Sequence, residues 1–227
     1  MSEVTPDFNF NQCSINERHI LVIPVRNLVL YPFITVPMSV NDADTLDSLD
    51  RAYRNHESVL AVTIKNSAEK VTPKDLYRMG VVCVVAKIME MPDGTYTAFM
   101  VAANRAKVLK YSSSKTDGIY AHIEYVAETI GESDDIELGA IFSSINDSFN
   151  EILGLFSEDD TKEVRYALSQ FTSPFKQMNF IICNAPISID DKQKLLEESD
   201  LKQRGIRLLN LLDTSFQMLQ LKADIQE

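Results

Sequence analysis

The stretch from residue 20 to residue 38, ILVIPVRNLVLYPFITVPM, limits what this chain can become more than any other segment. Val, Ile, Leu, Tyr and Phe fill it at strand density, yet Pro24, Pro32 and Pro37 interrupt it three times. Proline has no N–H to give to a ladder, so each one marks an edge, a bulge or a strand end. The pattern predicts a bent, barrel-like β wall rather than a central parallel strand. Arg26 sits inside the apolar run. A charge there must point outward or find carboxylate or carbonyl partners.

The segments around it are read from capping, turn and periodicity signals. Residues 1–18 are polar, contain Pro6 and several Asn, show no sustained period, and are expected to form a flexible leader. Asn41 to Asp44 offer N-cap candidates for a helix over 43–55, with Ala43, Leu46, Leu49 and Tyr53 at helical spacing. Residues 58–63 are β-prone. Residues 72–77 read as a capped helical turn with Pro73 at its first position, ended by Gly80. Residues 81–89 and 96–101 form a hairpin about Pro92-Asp93-Gly94, where Gly94 supplies the positive φ. Within its second arm, Tyr96, Ala98 and Met100 should face one side and Thr97, Phe99 and Val101 the other. Further strands are expected at 106–111 and 120–127, separated by a serine-rich loop ending at Asp117-Gly118.

At 128–135 acids and glycine replace β-branched residues and the period becomes 3.6. Asp134 with Glu137 makes a capping-box pattern ahead of an amphipathic helix through Ile136, Ile141, Ile145, Phe149, Ile152 and Phe156. Asp160 can start a second helix. Ser173-Pro174 opens a third that stops before Pro186, and Ser188 with Asp191 a short fourth. Asp200 with Gln203 starts a last helix over 201–226, with Leu208, Leu212, Phe216 and Leu219 on one stripe. At 1.5 Å per residue it would be about 39 Å long, more than a compact bundle needs, so its end should project.

Composition and missing motifs exclude most chemistry. The chain has 227 residues, 45% of them hydrophobic and 24% charged, which is the balance of a soluble globular protein. With 22 basic against 33 acidic residues the net charge of -11 opposes phosphate backbones and anionic lipid, so nucleic acid is a poor candidate partner. No apolar run is long enough to span a bilayer and the first residues lack signal-peptide features, which gives a cytoplasmic reading with no membrane partner. Cys13, Cys83 and Cys183 form no CxxC pair, and His19, His56 and His122 have no metal-ligand spacing. There is no GxxxxGK[ST] loop, only seven glycines, and no GxSxG elbow; Ser112 to Ser114 read as loop. The pairs Asp134/Asp135, Asp159/Asp160 and Asp190/Asp191 fall at helix starts, where the macrodipole accounts for them. What remains is apolar surface. Phe33, Pro37, Met89, Met91 and Phe99 gather around the hairpin and the opening stretch, and Met suits an adaptable binding face.

Four motifs in order resemble a known family. They are Pro24-Val25-Arg26-Asn27 through Tyr31-Pro32 to Pro37, then Thr72 to Tyr77 with Gly80, then Met91-Pro92-Asp93-Gly94-Thr95, and finally Asn104-Arg105-Ala106. Together they resemble the LON amino-terminal domain. Residues 187–197 with Asp200 and Arg204 resemble the helical segment that follows it in ATP-dependent Lon proteases. The resemblance implies an α+β chain: a PUA-like β-barrel domain at 19–127 followed by an all-α helical bundle at 128–227 with a long C-terminal helix. It implies a substrate-recognising, assembly-supporting front of a cytosolic homohexameric serine protease acting on unfolded or damaged proteins. ATP and Mg would serve the parent protein, with no cofactor and no catalysis in this fragment. Phe33, Pro37, Met89, Met91 and Phe99 become substrate-contact candidates, and Arg26, Arg105 and Gly94 structural anchors, with Arg26 held internally. A stand-alone LON-domain adaptor or an oligomerisation module is the alternative. Ala102 stands where the family commonly has Gly, and Phe33 where His is frequent; the first bears on a strand bend, the second adds apolar surface.

Overall fold

A computed structural model describes residues 19–114, 118–129 and 135–226, and its strands close on themselves. Strand β1 (Ile20–Val25) lies parallel to β3 (Ser58–Thr63) and antiparallel to β6 (Gly118–Tyr125). From β3 the ladder passes to β4 (Met79–Glu90), from β4 to the 19-residue β5 (Tyr96–Ser114), and from the far half of β5 back to β6. The pairings β5–β4–β3–β1–β6–β5 therefore form a ring. Strand β2 (Thr35–Val40) stands outside that ring, on the near half of β5. The expected leader, the 115–117 loop tip, and Asp134 of the expected capping box lie outside the described residues.

The separate strands expected at 96–101 and 106–111 are one strand, β5. What reads as a gap is a bulge: Val82 pairs with Asn104 but Cys83 with Ala102, leaving Ala103 as the extra residue. A second shift leaves Leu109 unpaired between the Val108–Ile123 and Lys110–His122 pairs. Bulges bend a strand and increase its twist, which lets one long strand serve both β2 and the closing partner β6. Gly80 is also placed differently from expectation. It lies within β4 rather than ending the helical turn, and a Cβ there would meet the Ala61 carbonyl oxygen at 2.5 Å.

The prolines behave as their chemistry requires. Pro24 lies opposite Val62 on the β3 side, while β6 pairs only with Ile20 and Leu21. Pro32 occupies the second position of a turn in which Ile34 N–H donates to Tyr31 O at 3.3 Å and Phe33 has φ 69°. That is the type II pattern, whose third position favours Gly or Asn. Pro37 sits on the free-edge strand.

Helix α1 (Ala43–Asn55) starts where expected, with the Asp42 carboxylate accepting from Thr45 N–H at 2.7 Å, and packs on β4. A 3-10 turn (Pro73–Asp75) is capped reciprocally by Thr72 and Asp75. The second half contains α2 (Asp135–Leu153), α3 (Glu158–Ser169), α4 (Pro174–Asn184), α5 (Ile189–Glu197) and α6 (Leu201–Gln226). Helix α3 begins earlier than expected, because Ser157 rather than Asp160 is the cap: the Asp160 N–H donates to Ser157 Oγ at 3.2 Å. Ser188 and Asp200 cap α5 and α6 through the N–H groups of Asp191 and Gln203.

The two halves share one core. Tyr31, Leu49 and Met100 from the first belong to the same buried cluster as Ile145, Phe149, Ile181 and Leu208 from the second. A smaller cluster, including Val22, Leu60, Val62, Val82 and Val108, fills the space enclosed by the ring. Leu208 and Leu212 of α6 are completely buried, but Met218, Leu221 and Ile225 are 53%, 55% and 74% exposed. The last turns of α6 thus leave the bundle.

Candidate functional site

The alternation expected along β5 holds and builds an outward face. Ala98 and Met100 are fully buried, whereas Thr97, Phe99 and Val101 are half-buried on the opposite side. Register places Pro37 on one flank of Phe99 and Lys87 on the other, with Met89 opposite Thr97 in the next row. Pro37, Phe99 and Met89 are therefore neighbours on one surface. Met91 stands exposed beside them at the start of the turn, where Met91 N–H donates to Thr95 O at 2.7 Å and Gly94 has φ 81°.

Phe33 is not part of that group. Its turn holds the ring, 45% exposed, edge-on to Phe175 with centroids 6.0 Å apart. Lys176 Nζ lies 5.0 Å from the Phe33 centroid, within cation–π range. The sequence marks residues 174–176 only as a helix start, and both Phe175 and Lys176 are half-buried there.

A polar seam ties the halves together. Arg105 of β5 and Arg204 of α6 are both buried and share Glu128, with Arg105 Nε 2.8 Å from Oε1 and Arg204 Nη2 2.6 Å from Oε2. Other N–H groups turn to carbonyls: Arg105 donates to Leu196 O at 2.7 Å and Ala127 O at 2.9 Å, and Arg204 Nε to Glu198 O at 2.9 Å, while Arg204 Nη1 is buried without a hydrogen-bond partner among the described residues. Leu196 and Glu198 lie at the C-terminal end of α5, whose last carbonyls lack intrahelical partners and carry the negative end of the dipole. Two guanidiniums thus satisfy one carboxylate and one helix end. Burial draws the Arg105 pKa below the ordinary arginine value while Glu128 opposes that shift.

Other bonds cross the same boundary. Tyr31 Oη donates to Lys192 O at 2.6 Å, Asn179 Nδ2 to Pro32 O at 3.1 Å, and Gln193 Nε2 to Met79 O at 3.1 Å. Burial raises the Tyr31 pKa well above the phenol range, so it stays a donor. Arg26 departs from the expected internal position. It is exposed, and its guanidinium donates to the Ala68 carbonyl from outside the ring. The apolar run around it already fills the core side, leaving a charged side chain only the outward direction.

Burial pushes the Cys83 and Cys183 thiols up to about 12, which keeps both unreactive. His19 stacks on Tyr120 at 4.6 Å and lies edge-on to His122 at 5.6 Å. Among the described residues no three His, Cys, Asp or Glu side chains group as metal ligands. No helix among them is long and apolar enough to cross a membrane. A cleft of about 1540 Å³, unforeseen from sequence, opens beside β2 and is lined by Ser39 and Asp42 together with Arg26, Leu28 and Lys70.

These features define a class: an α+β module in which a ring of strands and a set of helices share one core. The chain belongs to the family of the ATP-dependent protease La (LON) substrate-binding domain, whose model matches residues 19–214. Among curated relatives, it is 29% identical over 226 residues to the Lon protease of Porphyromonas gingivalis, covering 99% of this chain and 26% of that protein. With the Lon protease of Azospirillum brasilense it shares 28% over 206 residues, 90% of this chain and 25% of the relative. The chain thus spans about a quarter of the length of the curated relatives it matches. Two solved structures share the fold. The Lon N-terminal domain protein from Xanthomonas campestris gives a TM-score of 0.59 at 15% identity, over 85% of this chain and 97% of that one. The N-terminal domain of Mycobacterium avium complex Lon protease gives 0.61 at 15%, over 86% and 98%.

Proposed function

We propose that this chain recognises substrates for an ATP-dependent serine protease that degrades misfolded, damaged and short-lived regulatory proteins, and supports its assembly in the cytoplasm as a hexamer. ATP, Mg and the peptidase groups belong to the rest of the parent protein, and this chain contributes no catalysis. The observation that carries the reading is the outward row of Pro37, Phe99 and Met89, continued by Met91, on a substrate-binding family member. Phe33 with Phe175 supplies a second, separate apolar contact. Partial burial of two or three substrate side chains would give an affinity on the order of micromolar to millimolar per copy, multiplied by avidity in a ring. Phe33, Met89 and Phe99 changed together to Ser should abolish binding of a permanently unfolded protein such as carboxymethylated lactalbumin while the thermal midpoint is retained. Unchanged binding would sink the reading.

A second reading makes the chain chiefly an assembly element, favoured by the exposed Met218, Leu221 and Ile225 on the projecting turns of α6. Truncation at Lys202 would remove the buried Leu208 and Leu212, so the cleaner variant carries Ser at those three exposed positions. A change in mass by light scattering supports assembly, and an unchanged monomer counts against it for the isolated chain.

A further inference from the structure

We propose that the free edge of β2 is a docking site for an extended polypeptide segment, bound by backbone hydrogen bonds as an added strand. The proposal deepens the substrate-recognition reading and rests on it. The other five strands form the ring, so the outer side of β2 is the edge without a strand partner among the described residues. Parity along that edge follows from two bonds. Ala102 N–H donates to Ile34 O at 3.2 Å and Ala102 O accepts from Phe33 N–H at 2.9 Å, so Ala102, and with it Met100 and Ala98, turns its backbone groups toward β2. With the observed register, the N–H and C=O groups of Val36, Met38 and Val40 then point toward β5, and those of Thr35, Pro37 and Ser39 point away.

Pro37 confirms the parity, because a residue without an N–H fits this strand only where that N–H would face outward. The edge thus offers two N–H donors, at Thr35 and Ser39, and three carbonyl acceptors. Groups repeating every second residue, about 6.8 Å apart, match another extended backbone and little else. The side chains on the edge residues are exposed, and the cleft of about 1540 Å³ is lined by Pro37, Ser39 and Val40, leaving room for the added strand.

The occupant is a segment of an unfolded chain rather than a second copy. Pairing β2 with β2 would set Pro37 within the new ladder on both sides, where each lacks a donor, whereas an arbitrary segment meets only one such gap. Backbone pairing also suits a module that must accept many sequences, since it reads the main chain that all unfolded proteins share.

The test uses variants that alter only the edge. Ser39→Pro removes an outward N–H without touching the ladder to β5, and Ser39→Ala keeps it. Pro37→Val adds a donor while preserving an apolar side chain. With carboxymethylated lactalbumin as probe, read by fluorescence anisotropy, Ser39→Pro should weaken binding about tenfold, Ser39→Ala should match the parent, and Pro37→Val should tighten it severalfold. A gain with the thermal midpoint retained does not arise from misfolding. Binding that survives Ser39→Pro, or that fails to tighten in Pro37→Val, overturns the edge site; so does a Pro37→Val dimer in light scattering with no gain for the probe. The triple serine variant separates the two ideas. If it alone loses binding, recognition through the outer face stands without the edge, and if it too binds normally, the recognition reading falls independently.

Discussion

The strand half and the helical half solve the same burial problem with different tolerances. Residues 1–127 carry thirteen basic against fourteen acidic side chains, while residues 128–227 carry nine against nineteen, so nearly all of the net negative charge belongs to the helices. In the strand half, backbones approach one another directly: the missing Cβ of Gly80 would meet a carbonyl oxygen of β3. Between α2 and α6 the closest approach is through side chains, where a Cβ on Gly205 would meet Ile141 Cγ2 at 2.5 Å. A ladder cannot move one strand without moving the next; a helix contact can yield at one rotamer. The strand half is therefore the rigid member of the pair and the helical half the compliant, strongly charged one.

The largest break in this comparison comes from the seam between them. Arg105→Met leaves Arg204 and the α5 carbonyls with an incomplete network and should cost about 3 kcal/mol, read from urea unfolding. Because the core is shared, the transition should remain single. Combining it with Arg204→Met should cost clearly less than the sum of the two single changes, since both remove one network.

Next in size, the same substitution in the two halves should separate rigid from compliant packing. Gly80→Ala meets backbone and should cost about 2 to 3 kcal/mol. At Gly205, Ile141 is only half-buried and its γ-methyl can turn aside, and alanine gains about 1 kcal/mol of helix propensity, so the net change should lie near zero. Equal losses at both positions would erase the distinction.

Cys83, buried, and Cys183, half-buried, sharpen the comparison further. In a Cys13→Ser background, Cys83 reports on the strand half and Cys183 on the helices. Both should resist iodoacetamide at pH 8 and become reactive together as urea is raised. Earlier labelling of Cys183 would show the helices opening first.

The smallest effect is local. Hydrogen bonds from Asn66 and Thr72 hold the Asp75 carboxyl at about 2, below its ordinary 3.8. A depressed carboxylate stabilises the fold above its unfolded pKa and loses that contribution as pH falls through the folded value. The 72–77 turn should thus loosen between about pH 4 and pH 2, seen as lost protection of its amides relative to their intrinsic exchange rates.

Much of this was legible in the sequence because local chemistry set it. Asp42, Ser188 and Asp200 cap the helices they were expected to cap, and Pro92-Asp93-Gly94 turns the hairpin. The α6 limits emerged from its stripe and its cap. The errors lie where a long-range partner decides. Residues 102–105 looked like a break since a bulge has no local signature apart from small residues such as Ala102 and Ala103. Ser157 was passed over for Asp160 because both belong to one capping box and only geometry tells which residue stays outside the helix. In the candidate site, alternation placed Phe99 on the outer face, but the distance of Phe33 from the other four depends on a turn and on α4, more than 140 residues away in the chain. Arg26 was expected inside because its neighbours are apolar, yet the turn after β1 points it outward. Glu128, joining two arginines from distant elements, had no signal in its own segment.

The shared carboxylate also makes the molecule a mechanical coupling. Arg204 is on the first turn of α6 and Arg105 is in the middle of β5, so tension along α6 loads Glu128 and reaches the barrel through β5, which is paired along its length with other strands. Such a load shears many hydrogen bonds at once instead of opening them one by one. A pull on the long helix would therefore drag the strand half as a unit, and its outward row of Pro37, Phe99 and Met89 would travel with its shape intact.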